Sequence, residues 1–224
     1  MSNSSSSNLA NALADVRRAY RLLWAFQKRL LDINRLIRDK LGFEHYYQHH
    51  QFNPVQRSTN VELRSGWDLL PHASLAFLSL RPLAERDQYP NGDFNHYRKA
   101  GDMMLVVWPI PDSALVDALK QNPNREPEPL KFSNPEQCKS LLHIALIVND
   151  ITRMQNDPMI HWYSGVFLPL KDCILFGRQP NDGPRLFKRT FNLTDLPDED
   201  TLLKKAEDFQ EEAEEKLSIS LALT

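Results

Sequence analysis

The chain is poor in glycine and nearly empty of cysteine. Seven glycines in 224 residues leave little material for a phosphate cradle lined by backbone N–H groups, and no P-loop or G-x-G-x-x-G pattern occurs. The two cysteines, Cys138 and Cys173, are too few for a disulfide framework and have no zinc spacing, so both are expected to be reduced thiols in the cytoplasm. No run of about 18 apolar residues exists to span a bilayer. Residues 1–7 are polar and lack the basic start and apolar stretch of a secretory leader, so no leader is expected. The sequon Asn192-Leu193-Thr194 is then read as coincidental. A surplus of positive charge is missing too: the net charge of −2 argues against a general nucleic-acid binder. The signatures G-x-S-x-G and H-E-x-x-H are absent, and neither cysteine has a pattern that would support nucleophilic catalysis.

What is present begins with a helix. Asn8–Leu41 contains no proline or glycine, and Leu9, Val16, Leu23, Leu30 and Ile37 recur every seven residues. Leu13, Tyr20 and Leu41 flank that line on one side, and Ala12, Ala19, Phe26 and Ile33 on the other. At about 100° per residue they form one broad apolar face. A helix of this length, about 50 Å at roughly 1.5 Å per residue, needs something to cover that face. Gly42 follows Lys40 and Leu41 as a C-terminal stop.

The remainder reads as strands with two further helices. Ser74–Leu80, Met103–Ile110 and Leu141–Val148 are apolar runs with strand character, the second buried on both faces up to Trp108. Ile160–Leu170 is another such run. Cys173–Arg178 and Arg185–Phe191 flank Pro180-Asn181-Asp182-Gly183 and are expected to form a β-hairpin. A short helix is expected from Asp112 or Ser113 to Gln121, with Leu115 and Leu119 inward. A terminal helix opens at Pro197–Thr201 with Leu202, Ala206, Phe209, Ala213 and Leu217 as its apolar face, and Ser218–Thr224 alternates like a short strand. The expectation is an α+β fold: a mainly antiparallel sheet of five to six strands packed against a long N-terminal helix and a C-terminal helix. Residues 8–224 form a single domain in this reading, and residues 1–7 an unstructured tail.

The densest cluster of chemically useful side chains is Glu44-His45-Tyr46-Tyr47-Gln48-His49-His50. In a helix His45 and His49 share a face. In a strand His45, Tyr47 and His49 do, with Glu44 and His50 on the other. Either arrangement offers two imidazoles, so His45 and His49 are metal-ligand candidates and His45, His49, His50 and Asp68 catalytic candidates. A third ligand would come from elsewhere, such as Asp68, His72 or His96. Asp68, Asp102, Asp150, Asp157 and Asp172 lie near strand ends, where acids for metal-assisted hydrolysis would sit and where Asp is common for turn formation alone. His143 reads as a core histidine with a satisfied hydrogen bond. Trp108, Trp162 and Tyr163 could line a small-molecule pocket between the sheet and the long helix.

Charge is uneven. Asn8–Leu41 holds eight Lys/Arg and three Asp, whereas Asp195–Lys216 holds ten Asp/Glu and three Lys. The two ends are complementary and suited to pack within a chain or between chains. Arg17, Arg21, Lys28 and Arg35 form a basic line on the long helix with Trp24 and Leu31 beside it; these six are the expected partner-binding residues. The leading expectation is a cytoplasmic, non-catalytic interaction or regulatory protein, a homo-oligomer or a subunit with a protein partner, with no cofactor and no membrane span. The alternatives are a metal-dependent hydrolase or nuclease built on His45, His49 and His50, and a small-molecule binder.

Overall fold

The computed structural model describes residues 3–52, 74–82, 85, 88–93, 98–122, 127–150, 162–177 and 184–221, with side chains of the first helix described from Asn8 onward. Helix α1 runs Asn3–Lys40, so Asn3–Ser7 continues the helix rather than forming a tail. Gly42 at φ 70° ends it, and Phe43 N–H donates to Arg38 O at 3.0 Å, closing a carbonyl that the helix end would leave bare.

Five strands follow in a meander: β1 (Glu44–His50), β2 (Leu75–Arg81), β3 (Met103–Ile110), β4 (Leu141–Val148) and β5 (Arg185–Asn192). Every strand pairs antiparallel with its neighbours in sequence, in the order β1-β2-β3-β4-β5. Helix α2 (Ser113–Gln121) lies between β3 and β4, and its cap, Asp112, accepts a hydrogen bond from Ala114 N–H at 2.9 Å. Helix α4 (Glu199–Leu217) closes the fold; Asp198 caps it by accepting from Thr201 N–H, a bond that holds the Asp198 carboxyl below the usual range. The class is α+β.

All eight residues of β3 are buried, so this strand has no wet face and needs cover on both sides. Alternate residues divide between two cores. Met103, Leu105 and Val107 join Leu142, Ile144 and Leu146 beneath Leu30, Ile33, Ile37 and Leu41 of α1 and the predicted apolar face of α4. Met104, Val106 and Trp108 join Ala145 and Ile147 on the opposite face, beneath Trp162, Val166, Phe167, Leu170 and Ile174. The double burial expected up to Trp108 runs on to Ile110, and Pro109 sits within β3 in register with Leu142.

Three expectations fail. The run Ile160–Leu170 is no strand in its described part: Trp162 enters a π-helical turn at Tyr163–Phe167 that leads into α3 (Leu168–Phe176). Trp162, Val166, Leu170 and Ile174 are all buried at four-residue steps, which is a helical period hidden in an aromatic run. Cys173–Phe176 is consequently the end of α3, and the expected hairpin does not form; β5 takes β4 as partner from Leu141↔Asn192 to Val148↔Arg185. Pro180–Gly183 lies outside the described residues. Ser218–Leu221 is not a strand either, since Ser218 turns left-handed at φ 49° as the cap of α4.

The sharpest departure concerns α1. Only its C-terminal part, from Phe26, packs on the sheet and α4; Asn8–Ala25 is exposed except for Ala14, which is half-buried. Ile37 is fully buried whereas Leu22 is exposed. Ile37→Ala is expected to cost about 2–5 kcal/mol in urea unfolding, and Leu22→Ala less than about 0.5 kcal/mol. Equal losses would contradict this division of the helix.

Candidate functional site

The exposed part of α1 carries one surface that a folded chain does not ordinarily leave wet. Leu9, Leu13, Val16, Tyr20, Leu23, Trp24 and Leu31 are all exposed, with Tyr20 at 71% and Trp24 at 65%. On a wheel at about 100° per residue they fall within roughly 100° of arc, while exposed Leu22 points elsewhere. At its foot the stripe runs into a shallow apolar depression lined by Gln27, Leu30, Leu31, Leu75, Phe77 and Pro109. Isolated exposed leucines need no explanation, whereas a contiguous apolar stripe calls for one.

The six expected partner-binding residues are all exposed and divide into two groups. Trp24 and Leu31 belong to the stripe. Arg17, Arg21, Lys28 and Arg35 lie beyond them on the flank. Lys28 Nζ sits 5.6 Å from the Trp24 ring centre, and Arg35 pairs with Asp32 at 3.6 Å. Sequence reasoning expected the face that holds Leu9, Leu13, Val16, Tyr20 and Leu23 to be covered, and the structure leaves all five exposed. The signal available was length: the helix is longer than a five- or six-stranded sheet can cover.

The complementary ends meet within the chain, through packing more than through charge. Lys40 Nζ pairs with Glu207 at 2.6 Å, and Arg29 donates to Leu196 O at 3.3 Å. These contacts run α1 and α4 side by side in the same direction, so α1 projects past the N-terminal end of α4.

The histidine segment forms edge strand β1, and a bulge at Tyr46 separates its imidazoles. His45 lies opposite Ser79 and His49 opposite Ala76. These partners are an odd number of residues apart, so His45 and His49 face opposite sides of the sheet. The expected shared face does not exist. His50, opposite Leu75, is on the α1 side, away from His49. Asp68, His72, His96 and Asp157 lie outside the described residues. Among the described residues no group of three His, Cys, Asp or Glu is placed to hold a metal. Asp102 is buried and accepts from Tyr89 Oη and Lys99 N, both at 2.6 Å. Asp150 receives Arg185 Nε at 3.0 Å, and Asp172 lies within α3.

His49 instead enters an aromatic cluster. Its Nδ1 lies 2.8 Å from Tyr163 Oη, its ring meets Trp108 edge-on at 5.7 Å, and Phe167 is 5.1 Å away. Tyr47 packs on Tyr163 at 4.7 Å. The π-helical turn sets Tyr163 against His49, a link the sequence does not advertise. Trp108, Trp162 and Tyr163 do gather, but on the sheet face opposite α1; the expected pocket between sheet and long helix is therefore corrected, because Trp108 has the opposite parity in β3 to the residues under α1. His143 does bond through Nδ1, at 2.8 Å from Thr190 Oγ1.

Burial pushes His49 down to about 4, with Lys171 adding to the shift, and His143 down to about 3, with Lys188 adding. Both are neutral at pH 7. An unfolded chain takes up these protons near pH 6.5, the folded chain only near 4 and 3. Stability from their neutral burial is therefore full above the unfolded value and is lost as pH falls below it. Acidification from pH 7.5 to 4.5 is expected to destabilise the fold, and His49→Gln to remove about 2–3 kcal/mol of that loss. Identical pH slopes for both proteins in urea unfolding would contradict the neutral, buried His49.

Comparison with curated proteins and with solved structures gave no match. Among the described residues no helix is long and apolar enough to cross a membrane. A family model, PM0109, matches residues 6–218, a span that takes in the projecting part of α1, all five strands and α4. The chain belongs to the PM0109 family.

Proposed function

We propose that this protein works by association, with the sheet and α4 as a platform that holds the N-terminal part of α1 clear for a protein partner. The uncovered stripe Leu9–Leu23 on an otherwise anchored helix carries this reading. An isolated helix of only about 15 residues is marginal in water; here the C-terminal half of α1 is fixed by Leu30, Ile33, Ile37 and Leu41, so the first half is presented already aligned. That alignment lowers the ordering cost a partner must meet. The match to the family model from residue 6 includes this arm. A cytoplasmic setting agrees with two cysteines that form no disulfide. The dispersed histidines favour a packing role for His49 over catalysis.

The test is the mass of the tagged chain in an extract of its source cells, read by fluorescence-detected sedimentation. Wild type is expected well above 26.0 kDa, and Val16→Glu/Leu23→Glu at the chain mass with unchanged circular dichroism. Wild type sedimenting as a single chain, or a variant that keeps the larger mass, contradicts the reading.

A further inference from the structure

Resting on that association reading, we infer that the partner is a second copy of this chain, its projecting helix laid antiparallel along the first about a twofold axis between Arg17 and Arg18. The seam is complementary to itself in this sense only. Bulky and small residues alternate along it: Leu9, Ala12, Val16, Ala19, Leu23. In a parallel pair each residue meets its own copy, so Ala12 faces Ala12 and Ala19 faces Ala19, leaving two thin layers. In the antiparallel pair Ala12 meets Leu23 and Val16 meets Ala19, and Leu9 arrives beside the half-buried Phe26, where α1 joins the body. Each alanine then receives a bulky side chain, which is how a seam fills without voids. Leu13 and Tyr20 share a flank and meet each other's copies.

The body of the protein adds an independent feature. The depression lined by Gln27, Leu30, Leu31, Leu75, Phe77 and Pro109 lies at the foot of the stripe, where the antiparallel partner's Leu9 end arrives. A parallel partner would leave it open. Arg17, Arg18 and Arg21 fall outside the seam, so the like charges of the two copies stay on outer faces. The exposed stripes together cover on the order of 1,000 Å² of removable surface, at the lower limit for a specific interface. A concentration-dependent dimer with twofold symmetry follows, its two bodies at opposite ends of a seam about 25 Å long.

The test uses the purified full chain with Cys138→Ser, carrying either Ala12→Cys or Leu23→Cys. Oxidation of the mixture is expected to give a covalent dimer of twice 26.0 kDa, whereas each variant alone stays uncrosslinked. Unmodified protein should pass from one chain mass to two on concentration. Cross-linking of Ala12→Cys with itself means parallel pairing and overturns the inference. A purified chain that stays monomeric at all concentrations, with no mixed cross-link, overturns the second copy as partner. If the larger mass in extract still depends on Val16 and Leu23, the association reading survives and the stripe belongs to another protein.

Discussion

The structure depends on a mismatch of lengths set by a central strand that must be dry on both faces. β3 has eight residues, all buried, and so spans about 27 Å at roughly 3.4 Å per residue. Five strands spaced about 4.8 Å apart are narrower still. α1 has 38 residues, about 57 Å at 1.5 Å each. No orientation lets such a helix lie wholly on such a sheet. One half covers β3 and its neighbours, with α4 beside it, and the other half leaves the body carrying the same apolar period. The core on the opposite face, where α3 covers the sheet, frees α1 from any duty there.

Much of this was legible in the sequence because one face or two faces of burial leave a period. The apolar faces of α1 and α4, the doubly buried β3, the apolar strand β4, and the caps Asp112 and Gly42 all follow from spacing and turn chemistry. The Cys173–Phe191 hairpin misled because Pro180–Gly183 has the composition of a turn whichever element precedes it, and the last turn of α3 occupies Cys173–Phe176, where a strand was expected. The run at Trp162–Leu170 misled because aromatic and branched residues suit a strand as well as a helix, and only the four-residue step from Trp162 to Ile174 tells them apart. Which part of the α1 stripe is covered could not be read from its period. Val16 and Leu30 hold equivalent places in the same repeat, yet Val16 is exposed and Leu30 buried because the sheet ends between them.

The histidine segment shows how a chemically rich cluster dissolves in a real backbone. Its spacing offered two imidazoles on one face in either regular conformation. A single bulge between His45 and Tyr47 reverses the parity, sends His49 into an aromatic core against Tyr163 and Phe167, and leaves His45 exposed on the other side. Burial then keeps His49 neutral. Side chains with catalytic potential are used here to fasten an edge strand to the helical layer beneath it.

Two halves of one helix should therefore differ in how they are held. Hydrogen–deuterium exchange of residues 8–24 and 30–41, followed as a function of protein concentration, reads this directly. The account predicts slow exchange at Leu30–Leu41 at every concentration, and protection at Leu9–Trp24 that rises as the protein is concentrated. Protection of Leu9–Trp24 that is equally strong at the lowest concentration, or absent at the highest, would contradict it.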